Sequence, residues 1–231
     1  MYQVAVLLSG SGSNLQALLD AEAAGALGAE VILVVSDRAD ASGLQRALAR
    51  QVAAAYVPLP ATPRGTDRAA VRAAWERRLA DVVAAFAPDL VVLAGFMRIL
   101  SPAFLDRFPN RVINQHPALL PDDGGDTYVT STGLVIPALR GAHVVAEALE
   151  RGLPITGCSI HRVTPRVDDG PVLARAEVPV LPGDTPETLH ERIKVEEHRL
   201  IVEVVRSLAQ EHACAEREGA SRRTASPRSG R

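Results

Sequence analysis

The chain predicts an α/β fold: a mostly parallel, doubly wound sheet with a C-terminal closing helix. Three observations carry that expectation. Short apolar runs alternate with longer helical patterns through the first 100 residues, the βαβ rhythm of a parallel sheet covered on both faces. The runs are continuous, as in Val31-Ile32-Leu33-Val34-Val35, which suits strands buried on both sides. Hydrophobic residues make up 47% of the 231 but aromatics only 3%, so Ala, Val and Leu must build a closely packed core.

The elements follow in order. Val4–Leu8 is the first expected strand, and a Gly/Ser turn leads into a helical pattern over Asn14–Ala24. Val31–Val35 is the second strand, Ala41–Gln51 a helix and Ala54–Val57 a third strand. Arg68–Phe86 is a long helix stopped by Ala87-Pro88, and Asp89–Ala94 is another buried strand. Three loops after strands, Ser9–Ser13, Gly95–Leu100 and Asn114–Pro121, should then share the carboxyl edge of the sheet, where ligands of such folds collect. Past Pro121 the rhythm breaks into a Gly- and Asp-rich stretch with a small hairpin expected over Thr127–Pro137. A helix over Ala142–Arg151, strands over Ile155–Arg162 and Val172–Val180, and a closing helix over Thr185–Leu208 complete the fold. Thr185-Pro186 supplies that last helix with an N-cap and a first-turn proline. One domain is expected over residues 1–210, with 211–231 a disordered tail rich in Arg, Ser and Ala.

The formal net charge is −2, so no overall positive field recruits nucleic acid or an anionic membrane. No apolar stretch approaches the ~20 residues of a membrane span, and the N-terminal run is too short for a signal peptide. Cys158 and Cys214 lack paired metal-ligand spacing, as in a reduced, cytoplasmic protein.

Asn114-Gln115-His116-Pro117 carries the first chemical signal. On an extended chain Asn114 and His116 point to the same side, and Pro117 biases His116 away from helix. An amide donor and an imidazole sharing one space suit attack on a carbonyl-like carbon, especially if Asp168, in a loop between two expected strands, orients the imidazole. Each alone is as readily structural: Asp168-Asp169-Gly170 as a solvated turn, His116 as a strand-end histidine. His143 and His161 raise a zinc shell with Asp168, but no zinc-binding signature surrounds them and no metal is expected. Ser9, Ser11 and Ser13 lack the elbow of a serine nucleophile.

The turn Ser9-Gly10-Ser11-Gly12-Ser13-Asn14 supports three readings. It can be a plain strand-to-helix turn, a monophosphate cradle of Gly12, Ser13 and Asn14 at a helix N-terminus, or a dinucleotide turn with Asp37 on the ribose. Leu15 at the third glycine position weakens the last.

Taken in order, Ser9-Gly10-Ser11-Gly12-Ser13-Asn14-Leu15-Gln16, Leu93-Ala94-Gly95-Phe96-Met97-Arg98-Ile99-Leu100-Ser101, Asn114-x-His116-Pro117-Ala118-Leu119-Leu120-Pro121 and Asp168-Asp169-Gly170-Pro171 resemble the phosphoribosylglycinamide formyltransferase family over about residues 3–209. The resemblance implies a Rossmann-like cytoplasmic enzyme of purine biosynthesis. It would move a formyl group from 10-formyltetrahydrofolate to the amine of glycinamide ribonucleotide, acting on small molecules as monomer or homodimer. By the same resemblance Asn114, His116 and Asp168 are catalytic, and Gly12, Ser13 and Asn14 hold the substrate phosphate. Glu197 and Arg72 touch the ribonucleotide or a neighbouring ligand, while Met97, Arg98, Ile99, Leu100, Val163, Thr164 and Val167 line the folate. His143 supports the site. The N-terminal half would then serve the phosphate and the C-terminal half the folate and the catalysis.

The sequence departs from the family at an insertion over about 122–137, beside the site, and at Gln115 and Ala118, where an apolar residue and Ser are common. Formyltetrahydrofolate hydrolases and methionyl-tRNA formyltransferases share the central motifs. The expectation against them rests on the hydrolases' usual N-terminal regulatory domain and the tRNA enzymes' C-terminal domain and basic surface. A non-catalytic nicotinamide-nucleotide binder, using Gly10, Gly12 and Asp37, is the alternative of a different class.

Overall fold

The computed structural model describes residues 1–62 and 64–224. Five strands open the chain: β1 (Tyr2–Leu8), β2 (Ala29–Ser36), β3 (Ala53–Tyr56), β4 (Leu90–Leu93) and β5 (Val112–His116). Helices α1 (Ser13–Ala23), α2 (Ser42–Ala49), α3 (Arg68–Ala84) and the short α4 (Pro102–Leu105) connect them. Then come the hairpin β6 (Thr127–Val129) and β7 (Val135–Pro137), helix α5 (Val144–Glu150), strands β8 (Ile155–Arg162) and β9 (Val172–Pro179), and helix α6 (Pro186–Thr224).

The seven-stranded sheet runs β3-β2-β1-β4-β5-β8-β9. The first five strands are mutually parallel, and β8 and β9 are antiparallel additions at one edge. Alternation along β1 explains the double winding. Val4, Val6 and Leu8 face a core built with α1, α2 and α6, whereas Ala5 and Leu7 face a second core around Trp75, Leu79 and Phe104 of α3 and α4. Both faces are covered, so β1 has no polar side chain to place among Val4–Leu8.

Register sets the site. Leu7 pairs with Leu93 and Leu93 with Asn114, so β1, β4 and β5 reach their carboxyl ends level with one another. Asn114 and His116 therefore stand within β5 itself rather than in the loop beyond it. The unforeseen α4 has its own local cause: Ser101 caps it by accepting from the Ala103 N–H at 3.3 Å, and Pro102 opens it.

The tail expectation needs correction. Residues 211–224 continue α6 instead of being disordered, and 225–231 lie outside the described residues. Polarity was misleading there: Ala213, Ala215, Glu216, Arg217 and Glu218 are strong helix formers, and extending an existing helix needs no new nucleus. His212 also packs its ring against Tyr2 at 5.1 Å. The insertion forms the β6–β7 hairpin, pinned to β9 by Glu177, which accepts from the Tyr128 hydroxyl at 3.2 Å and from the Ser131 N–H and hydroxyl, each at 2.6 Å.

Candidate active site

A cleft of ≈ 740 Å³ opens along the carboxyl edge of β1, β4 and β5. The turn into α1 lines it. Gly12 adopts φ 70, where a side chain is strained, and a Cβ on it would come within 2.7 Å of Gly43 Cα in α2. Glycine is required twice over at this position. No side chain caps α1, so the first N–H groups of the helix are available to an anion. Buried Asn14 lines the same space, and its Oδ1 has no hydrogen-bond partner.

Asn14 also donates to Glu197 of α6 at 3.4 Å and to Gln115 at 3.3 Å, and Gln115 donates to Glu197. Burial raises the Glu197 carboxyl to about 7, against the two amide hydrogen bonds that favour its charge. Gln115, flagged only as a departure, thus fills an apolar position with an amide that neutral or charged Glu197 can use. His190 and Lys194 line the cleft beside Glu197. Their spacing of four and three residues puts all three on one helix face, a signal the sequence carried and the site expectation missed.

The cleft also holds Asn114, His116 and Asp168. His116 Nδ1 lies 3.4 Å from Asp168 Oδ2, and Asn114 Nδ2 is 3.5 Å from Asp168 Oδ1. His116 Nε2 stands 2.8 Å from the Leu139 carbonyl, which can only accept, so that nitrogen carries the proton. In the neutral ring Nδ1 is then a free base facing a carboxylate. Burial pushes the His116 pKa below its ordinary value, and Asp168 draws it back only in part. Asp168 is held below the usual carboxylate range: burial opposes its charge, but His161, His116 and the Gly141 N–H together prevail. His161 is a further member of the cluster, with Nε2 3.2 Å from Asn114 Nδ2 and 3.5 Å from Asp168 Oδ1. Only the pairing of β5 with β8 brings it there, Asn114 opposite His161.

Along the same cleft, Met97, Ile99 and Val167 expose apolar side chains, 72%, 62% and 40% accessible, with Leu100, Val163 and Thr164 also lining it. These form a ready wall for a flat apolar ligand. Arg98 lines the cleft too, but its Nε donates to buried Asp37 at 2.6 Å. Asp37 accepts from Ser9 as well, also at 2.6 Å, and the Ser9 hydroxyl in turn accepts from the Met97 N–H. Asp37 is consumed in joining three loops, which removes the ribose partner the dinucleotide reading needed.

Two expected residues stand apart from this cluster. Arg72 is not among the cleft-lining side chains; it bonds Glu76 at 3.0 Å and the Ile99 carbonyl, bracing the loop after β4 from behind. His143 lines the cleft but is exposed, at φ 65, as the residue before α5. Among the described residues, no group of three or more His, Cys, Asp or Glu is arranged to hold a metal ion. None of the described helices is long and apolar enough to cross a membrane.

An anion-receptive turn, a titratable cluster and an apolar wall along one cleft define an α/β enzyme that joins two small ligands for group transfer. Residues 2–205 match the formyl transferase family, and the chain belongs to it. It is 46% identical over 208 residues to phosphoribosylglycinamide formyltransferase of Mycobacterium tuberculosis, covering 90% of this chain and 85% of that protein. With the Escherichia coli enzyme of the same name it shares 40% over 197 residues, 85% of this chain and 82% of that one. Among solved structures, glycinamide ribonucleotide transformylase 1 from Symbiobacterium toebii superimposes with a TM-score of 0.78 at 41% identity, covering 91% of this chain and 89% of its own.

Proposed function

We propose that the chain transfers a formyl group from 10-formyltetrahydrofolate to the amine of 5-phosphoribosylglycinamide, a step of purine biosynthesis, through one catalytic domain over residues 1–210. The observation that carries this reading is that the Asn114–His116–Asp168 cluster, an uncapped helix N-terminus and an exposed apolar wall line one cleft. A phosphorylated amine at one end and a folate at the other would meet at that cluster.

In the proposed reaction the amine nitrogen attacks the formyl carbon, and the bond from that carbon to the folate nitrogen then breaks. The amine gives up one proton and the folate nitrogen gains one. His116 Nδ1 is the base in reach of the cleft, and its protonated form gains the neighbouring Asp168 charge. The Asn114 amide, 3.2 Å from His161 Nε2 and 3.5 Å from Asp168 Oδ1, is the donor that would turn from these contacts to the developing oxyanion. Gly12, Ser13 and Asn14 take the phosphate, and Glu197 the ribose. Met97, Arg98, Ile99, Leu100, Val163, Thr164 and Val167 take the folate, Arg98 chiefly through the loop it braces. Arg72 supports Ile99, and His143 borders the reacting centre.

The deciding experiment follows formyl transfer by absorbance and product mass, with and without the amine substrate. Formylglycinamide ribonucleotide formed only with both substrates is the expected result. In Asn114→Ala, His116→Ala and Asp168→Ala, kcat should fall by roughly 10²–10⁴-fold, with much smaller changes in substrate binding. Deformylation without the amine would instead assign hydrolysis.

A further inference from the structure

We propose that Arg140 is a positioning residue for the transfer, tying the insertion at 122–137 to the Asp168 loop and fixing where that carboxylate stands. The inference rests on the catalytic reading of Asp168. Arg140 follows β7, at the return from the insertion, and is only 22% exposed. Its Nε donates to the Asp168 carbonyl at 3.1 Å, while Nη2 donates to the carbonyls of Gly124 and Gly125 at 3.2 and 2.6 Å. One planar group therefore holds the backbones of two loops at once. Lysine, a single point charge on a flexible stem, cannot reproduce that fork.

The Asp168 loop needs such a tie. Among the described residues, no other backbone atom in 164–170 hydrogen-bonds to another part of the chain. Asp168 itself sits at φ 50, a left-handed conformation that persists only where neighbours over-determine it. Arg140 grips its carbonyl, and the next residue, Gly141, donates its N–H to Asp168 Oδ2 at 2.8 Å. Backbone and carboxylate of Asp168 are thus both set from two adjacent residues just past the insertion. With φ 83, Gly141 lets the chain turn to make that second contact. The hairpin that separates Gly125 from Arg140 in the chain is itself pinned to β9 through Glu177.

Arg140 also acts on His116 by charge. The groups facing that imidazole are Asp168 from the β8–β9 loop, which favours its cation, and His161 of β8 and Arg140, which disfavour it. Position and charge can therefore be separated in one experiment. Steady-state formyl transfer is measured from pH 5 to 8 for the parent, Arg140→Met, Arg140→Lys and Asp168→Asn, with Tm recorded for each. Both Arg140 variants should lose about 10- to 100-fold in kcat with KM for either substrate within about twofold. The acid limb of the profile should move to higher pH in Arg140→Met and stay in place in Arg140→Lys. If Arg140→Met fails to fold, Arg140→Lys still decides the positional claim. Parent-like kcat in the Arg140 variants while Asp168→Asn loses turnover would overturn the inference alone. Parent-like turnover in Asp168→Asn would remove the catalytic reading beneath it.

Discussion

In the proposed reaction His116 can be neutral at rest and still serve as the base, because its two nitrogens have different neighbours. The Leu139 carbonyl claims the proton on Nε2, leaving Nδ1 to accept one beside Asp168. Activity that needs the neutral ring is present above its folded pKa and lost as pH falls through it. That pKa lies below the ordinary 6.5, so the acid limb of kcat/KM should lie below that value as well. Asp168 opposes the downward shift, so Asp168→Asn should move the residual activity's acid limb lower still; an upward move would contradict the pairing. Glu197 makes the opposite kind of statement, about stability. Its carboxyl is raised from 4.5 to about 7, so between those values the native state keeps a proton the unfolded chain has lost. Raising pH through that window should therefore lower stability, by on the order of a few kcal/mol in total. Glu197→Gln keeps an amide against Gln115 and should flatten Tm between pH 5 and 7. Parallel melting curves for the two proteins would remove Glu197 as the source.

At the scale of elements, the turn into α1 is the tightest construction. Gly12 is pressed against Gly43, and a Cβ on Gly43 would meet the Leu8 side chain at 2.4 Å. Gly12→Ala combines a positive φ with a backbone clash. It should destabilise the protein by about 1–3 kcal/mol and raise KM for the ribonucleotide about 10-fold or more, with the folate KM little changed. Equal rises in both would place the phosphate elsewhere. Much of this element was legible beforehand, because two glycines between an apolar strand and a helical pattern leave few other geometries. The α2 partner was not, since nothing local links Gly43 to Gly12. The same limit hid Arg98: its neighbours suggested a ligand contact, but Asp37, 61 residues away in sequence, takes its Nε.

At the scale of the molecule, α6 closes one face of the sheet over most of its length. Leu189, Ile193, Leu200, Ile201, Val204, Val205 and Ala209 are buried against it. A chain ending after Glu211 keeps all of these and should retain parent turnover, with stability within about 1 kcal/mol. One ending after Glu203 loses Val204, Val205 and Ala209 and should be several kcal/mol less stable, a difference chemical denaturation would resolve. A large stability loss in the longer chain would mean that the Tyr2–His212 contact matters more than its exposure suggests.

What the sequence determined by itself was local and periodic. Continuous apolar runs set the parallel strands, 3.6-residue patterns set the helices, and glycine and proline set the turns, because each depends on neighbours within a few residues. The pairing of Asn114 with His116 belongs to the same class, two positions apart on one strand. Tertiary structure alone decided what reaches them. Antiparallel pairing of β5 with β8 delivers His161, a left-handed turn delivers Asp168, and the hairpin's return delivers Arg140. It also spent Asp37 on Ser9 and Arg98, closing the dinucleotide reading. These contacts join residues 28 to 61 positions apart, and their geometry follows from strand register and core packing, which no local pattern encodes.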